Sequence, residues 1–133
     1  EIIDWNFKIL ELSKRRNYNR GIVHSNINIA NHYFNLGETD KSLYYLEIAK
    51  DLCLSSKLDN YTTSRIFQEY SQVFYSIGSY ELSLENNSKA IYYGKKIESL
   101  EMKNKLLSYI YSTRGINFYK NEMVIEKHVV VWK

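Results

Sequence analysis

The sequence predicts an all-α protein built from repeated helix pairs, and three observations lead to this prediction. The 133 residues include no proline and only five glycines, a composition that favours long helices over strands and loops. Apolar residues recur at helical spacing along most of the chain. The stretch from Tyr33 to Ala49 returns 41 residues further on, so that Gly37 is matched by Gly78. An internal repeat with a period of about 20–50 residues indicates a solenoid or array.

The repeated stretch describes the end of one helix, a tight turn at a glycine and the start of a second helix. Each matched position keeps its size class, which supports a true repeat over a chance match. Each hairpin can bury its apolar face only by stacking on the next one, so the units are expected to fold together. The matched pairs are Tyr33/Phe74, Phe34/Tyr75, Leu36/Ile77, Gly37/Gly78, Ser42/Ser83, Leu43/Leu84 and Ala49/Ala90.

Three helices are predicted in the first half of the chain. The apolar residues among the charges near its start are spaced as in an amphipathic helix. Gly37 is expected to end the second helix, because glycine takes the left-handed conformation that many helix ends need. Thr39 or Asp40 is expected to cap the third helix through its short side chain. The predicted bounds are 1–16, 22–36 and 39–56. The second helix has apolar residues at helical spacing, namely Val23, Ile27, Ala30 and Tyr33, and the third has a buried stripe of Leu43, Leu46, Ala49, Leu52 and Cys53.

Three more helices are predicted in the second half, and two interpretations are open for residues 123–133. Thr62 or Thr63 is the expected cap of the fourth helix, and Ser79 that of the fifth. The β-branched run at 129–131 favours a strand locally, but the repeat places a seventh helix there, and the helix is preferred. The predicted bounds are 61–77, 80–98 and 103–120, with Ile66, Phe67, Tyr70, Phe74, Ile77, Leu84, Ala90, Ile91, Ile97, Leu106, Tyr109, Ile110 and Phe118 as apolar positions.

The charge, the cysteine content and the hydropathy of the sequence argue against several classes of protein. The net charge of +3 is small and the charges are mixed, without the basic stripe of a nucleic-acid-binding protein. The single cysteine, Cys53, excludes an internal disulfide and is expected to be a buried structural thiol. No run is long and apolar enough to span a bilayer, and no signal peptide is visible. The chain starts at Glu1 and is expected to be a fragment of a longer protein.

The repeated stretch resembles the tetratricopeptide repeat. That pattern has a small residue and then an aromatic in a first helix, a glycine turn, and small residues in a second helix. A third, degenerate unit has Asn121 or Glu122 in place of the turn glycine. The residues that carry the resemblance are Ala30, Tyr33, Leu36, Gly37, Leu43 and Ala49 in the first unit, Ser71, Phe74, Ile77, Gly78, Tyr80, Leu84 and Ala90 in the second, and Gly115, Phe118 and Tyr119 in the third.

The resemblance implies one domain over residues 1–133, folded as a right-handed α-α superhelix of about three helix pairs. Two features depart from the family pattern. The period here is 41 residues where about 34 is usual, and Ser71 replaces the usual glycine or alanine of the first helix. The implied units are the second helix of a truncated repeat at 1–16, repeats at 20–56 and 61–98, and a degenerate repeat at 103–132.

Long, degenerate repeats of this kind resemble the sensor regions of bacterial regulators. One such group is the peptide-pheromone receptors of Gram-positive bacteria, and another is the repeat-bearing transcription factors and histidine kinases of Bacteroidetes-type bacteria. In such solenoids the first helix of each pair lines the concave surface. On that register the concave side chains are His24, Ile27, Asn28, Asn31, Asn35, Arg65, Gln68, Gln72, Tyr75, Ser76, Ser112, Tyr119 and Lys120.

The amide side chains of this row are the candidate peptide-binding residues. An amide can donate to and accept from an extended peptide backbone at once, and Arg65 can hold a carboxylate through its planar fork. The alternative is an AT-rich genome that places asparagine on a solvated face. The predicted peptide-binding residues are Asn28, Asn31, Asn35, Arg65, Gln68, Gln72 and Tyr75.

The sequence contains no set of residues that would support catalysis. His24, His32 and His128 are not spaced as metal ligands, and the turn glycines do not form a phosphate-binding loop. No serine can be given a base and an orienting group. We therefore expect a protein that is not an enzyme and has no cofactor or metal.

The preferred interpretation is a helical-repeat scaffold that binds a peptide or protein segment, as the sensor or interaction region of a bacterial signalling or transcription regulator. The alternative is a self-association module that forms a homodimer, suggested by Trp5 and Trp132 near the two ends. Neither direct nucleic-acid contact nor a membrane span is expected of this segment. A cytoplasmic location is preferred for it, with a periplasmic sensor region as the alternative.

Overall fold

The computed structural model describes residues 2–115, which form six helices and no strand. Consecutive helices pack on one another, most extensively α2 on α3 and α4 on α5. This confirms the predicted all-α arrangement of helix pairs. The predicted segment at 123–133 and the residues Phe118, Tyr119, Lys120, Asn121 and Glu122 lie outside the described residues. The helices are α1 Ile2–Arg15, α2 Asn19–Asn35, α3 Thr39–Ser55, α4 Asn60–Ser76, α5 Tyr80–Gly94, and α6, which begins at residue 100 and is helical through residue 115.

Four of the helices end in the same turn. At the end of α2, the amide of Glu38 donates to the carbonyl of Tyr33 at 2.9 Å and the amide of Gly37 to that of Phe34 at 3.0 Å, which is the Schellman arrangement. Gly37 and Gly78 have φ of 76° and 81°, as predicted. The ends of α1 and α3 use the same bonds with non-glycine residues in the left-handed position, Asn17 at φ 52° and Lys57 at φ 51°.

The predicted helix caps are wrong for α3 and α4. Glu38, not Thr39 or Asp40, stands at the N-cap of α3 and makes no side-chain cap bond. Asp59 caps α4, because its extended backbone aims the carboxylate at the Thr62 amide, 3.1 Å away. The predicted cap residues Thr62 and Thr63 lie inside the first turn, where their hydroxyls bond back to Asp59.

Three predicted helix bounds differ from the structure by three or four residues, and one predicted cap bond is not formed. Helix α6 begins at residue 100 and not at residue 103. Ser79 holds the N-cap position of α5 but makes no side-chain cap bond. Helix α2 begins at Asn19 and not at residue 22, since the turn at Asn17 lets the chain re-enter a helix at once. Helix α5 ends at Gly94, four residues before the predicted end.

The core runs between the helix pairs and depends on small residues at the closest approaches. Ala30, Ala49, Ser71 and Ala90 are all fully buried. By contrast, Ile77 and Tyr109 are exposed although their spacing suggested burial. Ile77 is exposed because it is the C-cap residue of α4, at the tip of a hairpin. The buried core cluster contains Val23, Ile27, Ala30, Leu46, Ala49, Cys53, Ile66, Phe67, Tyr70, Val73, Ala90 and Ile110.

Candidate functional site

Helices α2, α4 and α6 share one surface, which we name the first-helix face. Side-chain hydrogen bonds connect the three helices along it. The Asn31 amide donates to the Glu69 carboxylate at 3.3 Å and joins α2 to α4. The Gln72 amide donates to the Tyr109 hydroxyl and joins α4 to α6. The face is therefore a continuous polar surface that crosses three helices.

Three of the five asparagines of α2, namely Asn28, Asn31 and Asn35, lie on this face as a row. Asn28 and Asn35 are exposed and Asn31 is half-buried. Asn35 donates to the side-chain oxygen of Asn31 at 3.3 Å, and Asn28 donates to that of Asn6 on α1 at 3.2 Å. Asn31 makes two hydrogen bonds in this network, and Asn28 and Asn35 make one each. Since an amide can make up to four, these contacts orient the row and leave capacity for a ligand.

Gln68 was predicted to line the face, but the structure places it in the core. It is 3% exposed, its amide nitrogen donates to Thr113 at 2.9 Å, and its oxygen accepts from Asn87 at 3.3 Å. Gln68 corresponds to Ile27 at the 41-residue offset, and Ile27 is fully buried as well. Both positions are on the side of the helix that faces the core, next to the outward row. Gln68 therefore connects α4 to α5 and α6 through hydrogen bonds.

The corresponding outward position on α4 is Glu69, which matches Asn28 at the same offset. Its carboxyl is half-buried. Burial raises the pKa of Glu69, while the Asn31 hydrogen bond and the charge of Arg65 act in the opposite direction. Sequence reasoning missed this residue, although the repeat offset from Asn28 would have found it.

Arg65 lies one helical turn before Glu69 and is half-buried. Within residues 2–115 no hydrogen bond or ion pair of its guanidinium is present. Arg20, near the same end of the face, is occupied by Asp59 at 2.6 Å. Burial lowers the pKa of His24, and the positive charges of Arg65 and Arg20 lower it further. This end of the face therefore offers the Arg65 guanidinium to an anionic group, beside the Glu69 carboxylate one turn away.

A cleft of about 590 Å³ opens toward the other end of the face. It contains Gln72 and Tyr75 from the predicted set, together with Phe34 from α2 and Tyr109 from α6. Its volume lies within the range usual for small ligand sites. Sequence reasoning missed Phe34 and Tyr109, because their approach to α4 depends on the packing of three separate helices. Ser71, Ser76 and Thr113 complete the lining.

The three asparagines also border a second recess of about 580 Å³ between α1 and α2. Ile2, Trp5 and Asn6 form its α1 side. The first-helix face thus has a recess on each flank, with the row of amides and Glu69 between them. This arrangement can hold an elongated ligand by polar contacts in the middle and apolar contacts at its flanks.

Two further features of the described part of the chain are its capacity for metal binding and the state of its one cysteine. No three histidine, cysteine, aspartate or glutamate side chains there come close enough to hold a metal ion. Burial raises the pKa of the Cys53 thiol, which shares a 3.3 Å hydrogen bond with Thr63. Across residues 2–115, every helix falls short of the length and apolarity that a membrane crossing needs.

Comparison with known protein families and with curated proteins finds no match to this chain.

Proposed function

We propose that this chain is a tetratricopeptide-like scaffold that binds an extended peptide or protein segment on its first-helix face. Its role on this proposal is recognition and not catalysis. One observation carries the proposal: a guanidinium with no hydrogen bond or ion pair among residues 2–115, a row of amides and an apolar cleft share a single surface. Arg65, Asn31 and the cleft at Tyr75 supply these three elements.

The spacing of these elements suits an extended chain. Arg65 and Gln72 are seven residues apart on α4, which is about 10 Å along the axis at roughly 1.5 Å per residue. An extended peptide covers that distance in about three residues at roughly 3.3 Å each. A carboxylate at Arg65 and a large apolar side chain in the cleft would then belong to one short segment.

The chemistry of each contact explains its part in recognition. A guanidinium binds a carboxylate through two parallel hydrogen bonds, which fixes the direction of the ligand. The asparagine row offers donors and acceptors to the peptide backbone, whatever the side chains are. The cleft selects size and apolar character, since burial contributes about 25 cal/mol per Å² of apolar surface.

We further propose that the scaffold is the sensor or interaction region of a bacterial signalling or transcription regulator, in the cytoplasm or, as the alternative, in the periplasm. The support for this is the resemblance of its long, degenerate repeats to such regions. The bonds Asn31–Glu69 and Gln72–Tyr109 each connect two units. A ligand that replaced either bond would change how neighbouring units pack, and a conformational equilibrium can respond to such differential contacts.

Peptides selected from a random-sequence phage library against the chain provide the test. We expect acidic peptides with one large apolar residue, and Arg65→Gln should weaken them at least tenfold. Asn31→Ala and Gln72→Ala should also weaken binding. Arg15→Gln is the matched control, because Arg15 is exposed on α1 and pairs only with Glu11 among the described residues. Unchanged affinity in all three face variants, with helicity intact by circular dichroism, would reject the proposal.

A further inference from the structure

Three aromatic side chains from three different helices line the cleft of the first-helix face. Phe34 comes from α2, Tyr75 from α4 and Tyr109 from α6. Phe34 and Tyr75 occupy the same position in successive units, at the 41-residue offset, so the repeat supplies one ring from each unit. Tyr109 adds the third ring, and its hydroxyl accepts the hydrogen bond that Gln72 donates.

These three rings do not pack on one another. Favourable ring pairs have centroids about 4.5–7 Å apart, and Tyr75 makes such a contact with Tyr80 at 5.5 Å. Among residues 2–115, no ring contact joins Phe34, Tyr75 and Tyr109 to each other. The cleft of about 590 Å³ therefore has three aromatic walls with space between them.

The cleft is uncharged. Within the described part of the chain, its lining contains neither an acidic nor a basic side chain. The hydroxyls of Ser71, Ser76 and Thr113 each donate to a backbone carbonyl oxygen, so their protons are not available to a carboxylate of the ligand. A charged side chain would lose its water in the cleft without gaining an opposite charge, which is costly. The side chain that fits is therefore uncharged.

Among uncharged side chains, the three rings favour an aromatic one over an aliphatic one. Rings attract each other through the positive edge of one and the negative face of another, in addition to the burial of apolar surface. An aliphatic side chain such as that of leucine obtains the burial alone. The cleft has the size of a small-ligand site, so room for either is present and the contacts decide between them.

We propose that the cleft at Phe34, Tyr75 and Tyr109 is a specificity pocket for an aromatic side chain of the ligand. This inference rests on the proposed function, since it identifies the large apolar residue of the bound segment. The first-helix face then selects a segment that has a carboxylate and an aromatic residue about three positions apart. The same segment with leucine or lysine in place of the aromatic residue binds more weakly.

Capped amino acids test the pocket apart from the rest of the face. N-acetyl-tryptophanamide, N-acetyl-leucinamide and N-acetyl-lysinamide have the same neutral caps and differ only in the side chain. Titration of each into the isotope-labelled chain, followed by two-dimensional amide NMR spectra, gives three dissociation constants. We expect the tryptophan compound to bind about fivefold more tightly than the leucine compound, and the lysine compound to bind most weakly. The amide signals of Gln72 and Ser76 should be among those that move.

Two tyrosines of α6 provide a matched pair of variants. Tyr109 and Tyr111 are 49% and 48% exposed, but Tyr111 lies outside the cleft lining. Tyr109→Leu should lower the ratio of tryptophan to leucine affinity about threefold, whereas Tyr111→Leu should leave it unchanged. Tyr109→Phe should keep the ratio, because the ring remains although the hydroxyl that accepts from Gln72 is lost. A general loss of stability would weaken both compounds alike and would not change the ratio.

Equal affinity for the tryptophan and leucine compounds would overturn the inference, and so would tighter binding of the lysine compound. Cleft signals that stay unmoved at the solubility limit of the tryptophan compound would overturn it too. The proposed function would survive these results if selected acidic peptides still depended on Arg65. If the ring preference is present but no selected peptide depends on Arg65, Asn31 or Gln72, the proposed function fails and the pocket's specificity stands.

Discussion

The hydroxyl of Ser42 donates a 2.8 Å hydrogen bond to the backbone carbonyl of Ala30 inside the core. The contact joins the first turn of α3 to the middle of α2. It recurs 41 residues later, where the Ser83 hydroxyl donates to the Ser71 carbonyl at 2.7 Å. The sequence repeat is therefore also a repeat of one specific packing contact, and it depends on a small polar residue in the second helix.

Ser42 is expected to tolerate removal of its hydroxyl much better than an increase in size. Ser42→Ala should cost about 1 kcal/mol, the usual net value of a hydrogen bond. Ser42→Leu should cost a further 1–3 kcal/mol or so, because the larger side chain forces α2 and α3 apart. Urea unfolding followed by circular dichroism measures both. Ser55→Leu is the control on the same helix, since Ser55 is exposed; an equal loss there would show that the packing explanation is wrong.

The left-handed residues at the helix ends should respond in opposite directions to substitution. Gly37→Ala should destabilise by about 1–2 kcal/mol, and the cost is purely conformational because a Cβ at Gly37 would meet nothing within 4 Å. Lys57→Gly should stabilise by roughly 0.5 kcal/mol, the relief of the left-handed strain less the entropy of glycine.

The midpoint of thermal unfolding of these variants tests the conformational explanation, with Lys95→Gly as the control. Lys95 also stands at a helix end, but its φ is −65°, so glycine there gains nothing and should destabilise. If Lys57→Gly and Lys95→Gly shift the midpoint in the same direction, the conformational explanation fails.

Asp59 should stabilise the fold above about pH 4 and lose that effect in acid. Burial raises the pKa of Asp59, but hydrogen bonds from the Thr62 amide, Arg20 and the Thr62 hydroxyl together outweigh it and lower the pKa below 3.8. Because the folded carboxyl holds its proton less tightly than the unfolded one, its stabilisation is complete above the unfolded value and disappears as pH falls through the folded value. Asp59→Ala should therefore cost about 1 kcal/mol at pH 7, as for other N-caps.

Denaturant unfolding of Asp59→Ala and the parent chain between pH 3 and pH 8 measures this difference. It should be constant from pH 5 to pH 8 and shrink below pH 4. Asp51→Ala serves as the control, since Asp51 is exposed in the middle of α3. A difference that persists undiminished at pH 3 would contradict a role for the ionised carboxylate.

Glu69 should have the opposite pH dependence. Burial raises its pKa above 4.5, so the folded chain binds this proton more tightly than the unfolded chain does. Its ionisation therefore reduces stability as pH rises through the folded value. Glu69→Gln should be more stable than the parent at pH 7 and should lose that advantage below pH 4. Unfolding at both pH values tests this against Glu85→Gln, an exposed carboxylate on α5; a Glu69→Gln variant less stable at pH 7 would contradict it.

The candidate site could be predicted only in part from the sequence. The outward positions of Asn28, Asn31 and Asn35 follow from the helical period and from the glycine that ends α2. The same reasoning assigned Gln68 to the outward row, whereas its neighbour Glu69 occupies that position. An error of one residue on a helix changes the direction of the side chain by about 100°. A polar residue can also be buried when its partners are buried beside it, as Thr113 and Asn87 are beside Gln68.

In this protein, some features follow from the local sequence and others from the packing of distant helices. The helix pairs, their 41-residue period and the turns at Gly37 and Gly78 are local properties, which backbone conformation and apolar spacing determine within one hairpin. The tertiary structure alone decided that Arg65 stays unpaired among residues 2–115 and that Tyr109 meets Gln72. Those relations join helices far apart in the sequence, and their geometry arises only when the small residues of the core let the helices approach.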